Sequence, residues 1–93
     1  MAEHATGSIL LTHEIGLHAR PSVKLTKLAK RFSADVSLAI AENGPWINAK
    51  SIAKVMGAKV PVNSVLYFEA QGEDAGDAVA ALVALVEKDF ETT

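Results

Sequence analysis

Cysteine is absent from the 93 residues, which excludes disulfide stapling and thiolate metal sites and leaves a packed core as the source of stability. A reducing compartment is compatible with that absence. Long apolar runs are absent too. The longest are a few residues, far short of the ~18 needed to cross a bilayer, and Met1-Ala2-Glu3-His4 lacks a basic-then-apolar signal layout, so a cytoplasmic protein without membrane insertion is expected. Aromatic residues are few: one Trp, one Tyr and three Phe offer little stacking surface for bases. Length alone allows one domain, residues 1 to 93, and excludes a second.

The net charge of −2 conceals an asymmetry. Residues 1 to 60 carry eight Lys and Arg against four Asp and Glu, whereas residues 61 to 93 carry one against seven. A basic face on an acidic protein suits docking to an acidic protein partner, while the total field opposes nucleic-acid binding.

Along the chain, Ser8 to Thr12 reads as a short strand, with Gly16 free to turn after it. Pro21, Leu25, Leu28 and Phe32 then form an apolar stripe at helical spacing, with Arg20, Lys24, Lys27 and Arg31 repeating it one residue earlier. Pro21 belongs in a first helical turn, where its missing N–H has no intrahelical acceptor, so the helix is expected to start at about His18 to Arg20. Val36 to Ile40, a turn over Glu42 to Pro45, and Trp46 to Ala49 read as a hairpin. Ser51 to Met56 is a short helix closed by Gly57, and Val65 to Gln71 alternates as a strand. Asp74 is placed to cap a last helix, whose stripe is Ala75, Val79, Leu82, Val86 and Phe90. The order βαββαβα predicts an α+β layered domain, with a four-stranded sheet covered on one face by helices.

Of three histidines, His4 in a frayed terminus and His13 at a strand end read as ordinary solvated residues. His18 stands just before a helix whose positive end, together with Arg20, disfavours imidazolium and favours a neutral, nucleophilic ring. Phosphate oxygens added to that ring would face the helix amino end and Arg20. By chemistry alone two readings stand: a phosphohistidine site, or a helix-terminal histidine beside a solvent-facing arginine.

Gly16-Leu17-His18-Ala19-Arg20-Pro21 resembles the active-site segment of HPr, the histidine-containing phosphocarrier family of bacterial phosphoenolpyruvate:sugar phosphotransferase systems. Asn48-Ala49-Lys50-Ser51-Ile52 resembles the family's second, regulatory segment, and length, element order and the acidic Gly72-Glu73-Asp74 start of the last helix also agree, so the likeness covers nearly the whole chain. The resemblance implies an open-faced β-sandwich of four antiparallel strands and three helices. It implies that His18 accepts a phosphoryl group, at Nδ1, from enzyme I and passes it to an acceptor of the EIIA type, with Arg20 stabilising the phosphate. Such a chain is a carrier without independent turnover, needs no cofactor or metal, and is expected to be a monomer. The N–P bond is labile, and a shallow site with one Arg and a few backbone donors stabilises it without trapping it.

Ser51 at the start of the short helix is an ordinary N-cap on residue type alone. The resemblance adds phosphorylation at this serine by an HPr kinase/phosphorylase, a third expected partner, and a phosphate there would weaken docking to acidic surfaces. Docking itself is expected at Ala19, Lys24, Lys27, Lys50, Ile52 and Lys54, since a carrier meeting several partners gains from electrostatic steering. Two positions depart from the family pattern: Ala53, where members commonly present Met or Phe to partners, and Ser22, in place of a common Ala. Both bear on partner choice more than on phosphocarrier chemistry. Two other roles fit the same residues. One is a regulatory carrier of the nitrogen-related branch; the other is a binding module in which phospho-Ser51 recruits a transcription factor while His18 stays idle.

Overall fold

The computed structural model describes residues 3–11, 19–88 and 90. The elements run β1 (His4–Leu10), α1 (Ala19–Ala29), β2 (Asp35–Ala39), β3 (Ile47–Asn48), α2 (Ile52–Gly57), β4 (Val65–Gln71) and α3 (Ala75–Glu87). The four strands form one antiparallel sheet in the order β1-β4-β2-β3, so β4 is hydrogen-bonded on both sides. This is the open sheet with three helices expected from the sequence.

Each strand alternates because its side chains point to opposite faces. Leu66, Phe68 and Ala70 of β4 and Val36 and Leu38 of β2 turn inward and are buried, while Tyr67, Glu69 and Ser37 turn to the other face. The helices cover only the inward face: α3 packs on β1, β4 and β2, and α1 packs on α2 and α3. Leu25 and Ala29 from α1, Val55 from α2 and Ala78, Leu82 and Val86 from α3 complete the core. A leucine or valine fully removed from water contributes about 1.5–3 kcal/mol, so this set dominates the stabilisation.

Gly7 sets how closely α3 lies on the sheet. A Cβ at this position would stand 2.7 Å from Val79 Cγ1, and a residue without a side chain is what permits the approach.

Several boundaries differ from the sequence-based expectation. β1 begins at His4, well before Ser8, and His4 is a strand residue whose Nε2 lies 3.5 Å from Glu69 Oε1; a two-way backbone pairing between Glu3 and Gly72 extends the ladder beyond it. Thr12, His13, Gly16 and His18 lie outside the described residues. Gly57 is the last residue of α2, and the right-handed Ala58 (φ −69°) closes that helix through its N–H to the Lys54 carbonyl. Asp74 precedes α3 without capping it by its side chain. Its carboxylate instead accepts from the N–H of Ser33 (2.8 Å) and of Ala34 (2.7 Å), joining the turn after α1 to the start of α3. Those donors hold the Asp74 carboxyl below its ordinary range. The Ser33 bond is the largest cause; Ala34, its own backbone N–H and the charge of Lys50 add to it against partial desolvation. Phe90 lies past the end of α3 in a left-handed conformation (φ 63°), its N–H donating to the Leu85 carbonyl, and its ring is still buried in the core.

Candidate functional site

Helix α1 starts at Ala19, so Arg20 and Pro21 occupy its first turn, and the backbone N–H groups of Ala19 and Arg20 precede its first i→i−4 bond. Pro21 is buried and anchors this end, while Arg20 is exposed in the first turn. The position immediately before Ala19 is that of His18 in the chain; its own placement is outside the described residues, as is the side chain of Ala19. Ser22, the departure next to Pro21, is fully buried, and its carbonyl accepts from Thr26 Oγ1 at 3.0 Å.

Ser51 is the N-cap of α2. Its backbone is extended, and its Oγ accepts from the Lys54 N–H at 3.3 Å. That bond is long, which makes the cap a weak one. Ser51 as a residue is half-buried, at the start of a helix that packs on α1, so α1 and α2 bring the Arg20 and Ser51 segments onto the helical layer.

The cations expected to dock partners divide into two sets. Lys27 and Lys54 are exposed. Lys24 Nζ donates to the Phe90 carbonyl at 2.6 Å, and Lys50 Nζ donates to the Phe32 carbonyl at 2.8 Å, so these two tie chain segments together besides contributing charge. Ile52 is exposed, and two apolar side chains that the sequence reading passed over stand out with it: Val23 on α1 and Met56 on α2, each 40% exposed. The signal for Met56 was present in the sequence. With Val55 inward, position 56 falls on the outer side together with Ile52, four residues earlier, and only an explicit helical projection of α2 reveals it.

Among the described residues no group of three or more His, Cys, Asp or Glu could hold a metal ion, and no helix is long and apolar enough to cross a membrane.

Comparison with known proteins agrees with this geometry. The family model for the phosphorylation site of the HPr component of the phosphotransferase system matches residues 5–88. A phosphocarrier protein HPr from Cupriavidus necator is 39% identical over 80 residues, which are 86% of this chain and 88% of that protein. Another from Vibrio cholerae is 37% identical over 78 residues, 84% of this chain and 89% of that protein. The crystal structure of an HPr from Thermoanaerobacter tengcongensis superposes with a TM-score of 0.85 at 33% identity, covering 96% of this chain and 99% of that one. The sheet order, the two helix-start segments and these matches converge on one conclusion: the chain belongs to the HPr family of phosphotransferase-system phosphocarriers.

Proposed function

We propose that the chain relays phosphoryl groups through His18. An imidazole nitrogen, Nδ1 by the family's pattern, attacks the phosphorus of phosphorylated enzyme I. The enzyme I–phosphate bond breaks as the new N–P bond forms, and the acceptor, an EIIA-type domain, reverses the chemistry in the next encounter. Arg20 balances the phosphate charge. The observation that carries this reading is that the family match, residues 5–88, spans both the Gly16–Pro21 and the Asn48–Ile52 segments. An exposed Arg20 in a first helical turn supports it physically, since a helix start and a guanidinium both favour phosphate oxygens.

Ser51 is the regulatory position of the proposal. A phosphate on its Oγ would add close to two negative charges beside Lys54 and oppose binding of acidic partners. The protein acts as a single-domain monomer in the cytoplasm, docking through the exposed faces of α1 and α2.

Incubation with enzyme I and labelled phosphoenolpyruvate tests the relay. The parent chain is expected to acquire an acid-labile, alkali-stable label that transfers to an EIIA-type domain, and His18→Ala is expected to acquire none. A label of equal intensity on His18→Ala refutes the assignment.

A further inference from the structure

The face of the sheet away from the helices is not flat. There an open groove of about 330 Å³ is bounded by Thr6, Ser8, Glu42, Trp46, Tyr67 and Glu69. Strand register builds its floor. Glu69 of β4 lies between Thr6 of β1 and Ser37 of β2, and Tyr67 lies between Ser8 and Ala39, so a carboxylate and a phenol ring stand in successive rows flanked by small side chains. The wall is Trp46, which follows the turn through the cis Gly44–Pro45 bond. Gly44 has φ +85°, and a Cβ on it would stand 2.9 Å from Trp46 Cδ1, so the indole lies directly over a position that only glycine suits.

The charges of this groove are of one sign. Among the described residues Glu42 and Glu69 line it, and neither Lys nor Arg does. Glu69 is touched by His4 Nε2 at 3.5 Å and by Gln71 Nε2 at 3.4 Å, and its side chain keeps 31% exposure. Two aromatic rings beside two carboxylates make a surface for cations, because ring faces and carboxylates both attract positive charge. The volume lies at the low end of small-molecule sites, and the lining is half polar groups that fix orientation.

We infer that this groove binds a small aliphatic dication, an ammonium or guanidinium at each end of a short carbon chain, with the charged ends at Glu42 and Glu69 and the chain across Trp46 and Tyr67. The groove sits on the face of the sheet opposite the one that the three helices cover.

Agmatine is a suitable probe, and Trp46, the only tryptophan, reports on it. Titration of the full chain in low salt is expected to change Trp46 emission saturably with a millimolar Kd, and to shift backbone amide resonances at residues 6–8, 42–46 and 67–69 and not those of α1 or α2. The double variant Glu42→Gln/Glu69→Gln is expected to bind at least ten-fold more weakly while its urea midpoint, read in parallel, shows it folded. Neutral N-butylurea is expected to leave both signals unchanged. Absence of saturation, equal binding by the double variant, or equal binding by N-butylurea each overturns the inference. So does tighter binding of an arginine-containing tripeptide at the same residues, which would assign the groove to a protein partner.

Discussion

Replacing Gly7 with alanine tests the close approach of α3 to the sheet. The added Cβ would stand 2.7 Å from Val79 Cγ1 and 3.3 Å from Val83 Cγ2. The best carbon–carbon separation is about 3.5–4.0 Å, so the first contact is short by roughly 1 Å. Val79 cannot swing aside cheaply, because a β-branched side chain in a helix has one strongly preferred rotamer. The helix must therefore shift over β1, and overpacking of this kind costs about 1–3 kcal/mol. Against that, alanine restricts the unfolded chain and gains about 0.5–1 kcal/mol. Taking the middle of both ranges, the net expectation is a loss of about 1–1.5 kcal/mol, or a Tm lower by roughly 4–12 °C in a domain of this size. Urea unfolding followed by Trp46 fluorescence measures it, with an unchanged m-value showing that the unfolded state is the same. A double-mutant cycle with Val79→Ala localises the cause. Removing the γ-methyl groups makes room for the new Cβ, so the double variant is expected to be more stable than the sum of the single losses by about 1 kcal/mol. Unchanged stability of Gly7→Ala, or strict additivity in the cycle, refutes the packing argument.

Two further outcomes follow from the helix starts. Asp74→Asn removes a carboxylate held below its ordinary pKa of 3.8 by the Ser33 and Ala34 N–H groups. The stabilisation it supplies is present above the unfolded pKa and is lost as pH falls through the folded one, so parent and variant should differ by a constant amount at neutral pH and converge in acid; acid unfolding followed by circular dichroism reads this, and a gap that does not narrow as pH falls below the ordinary 3.8 contradicts it. Ser51→Ala deletes a weak N-cap with a 3.3 Å bond, and a loss near the lower end of the usual 0.5–2 kcal/mol range is expected in urea unfolding. Phosphorylation by enzyme I should survive that change.

What could be read from the sequence was local. β4 occupies Val65–Gln71, the residues whose alternation marks it, and α1 starts where Pro21 requires. The errors arise where distant segments decide. Asp74 has the residue type and position of an N-cap, yet its oxygens are taken by Ser33 and Ala34, forty residues away in sequence. Phe90 continues the apolar spacing of α3 and reaches the core only because the chain turns left-handed after the helix ends. His4 looked terminal because β1 shows its register only beside β4. The Arg20 and Ser51 segments were legible as motifs, since each lies in one short run. The groove under Trp46 was not, because its lining comes from β1, β4 and the turn before β3, which only the strand order brings together.

That strand order also governs when the sheet can exist during synthesis. Among the described residues β4 is the strand that joins β1 to β2, and it ends at Gln71. Until that residue has left the ribosome, the nascent chain holds a lone first strand and a hairpin whose second strand is two residues long. Isolated pairs of this size are not stable in water. The sheet therefore waits for β4 and closes in one event once that strand has emerged, the apolar residues of β2 lacking their β4 neighbours until then.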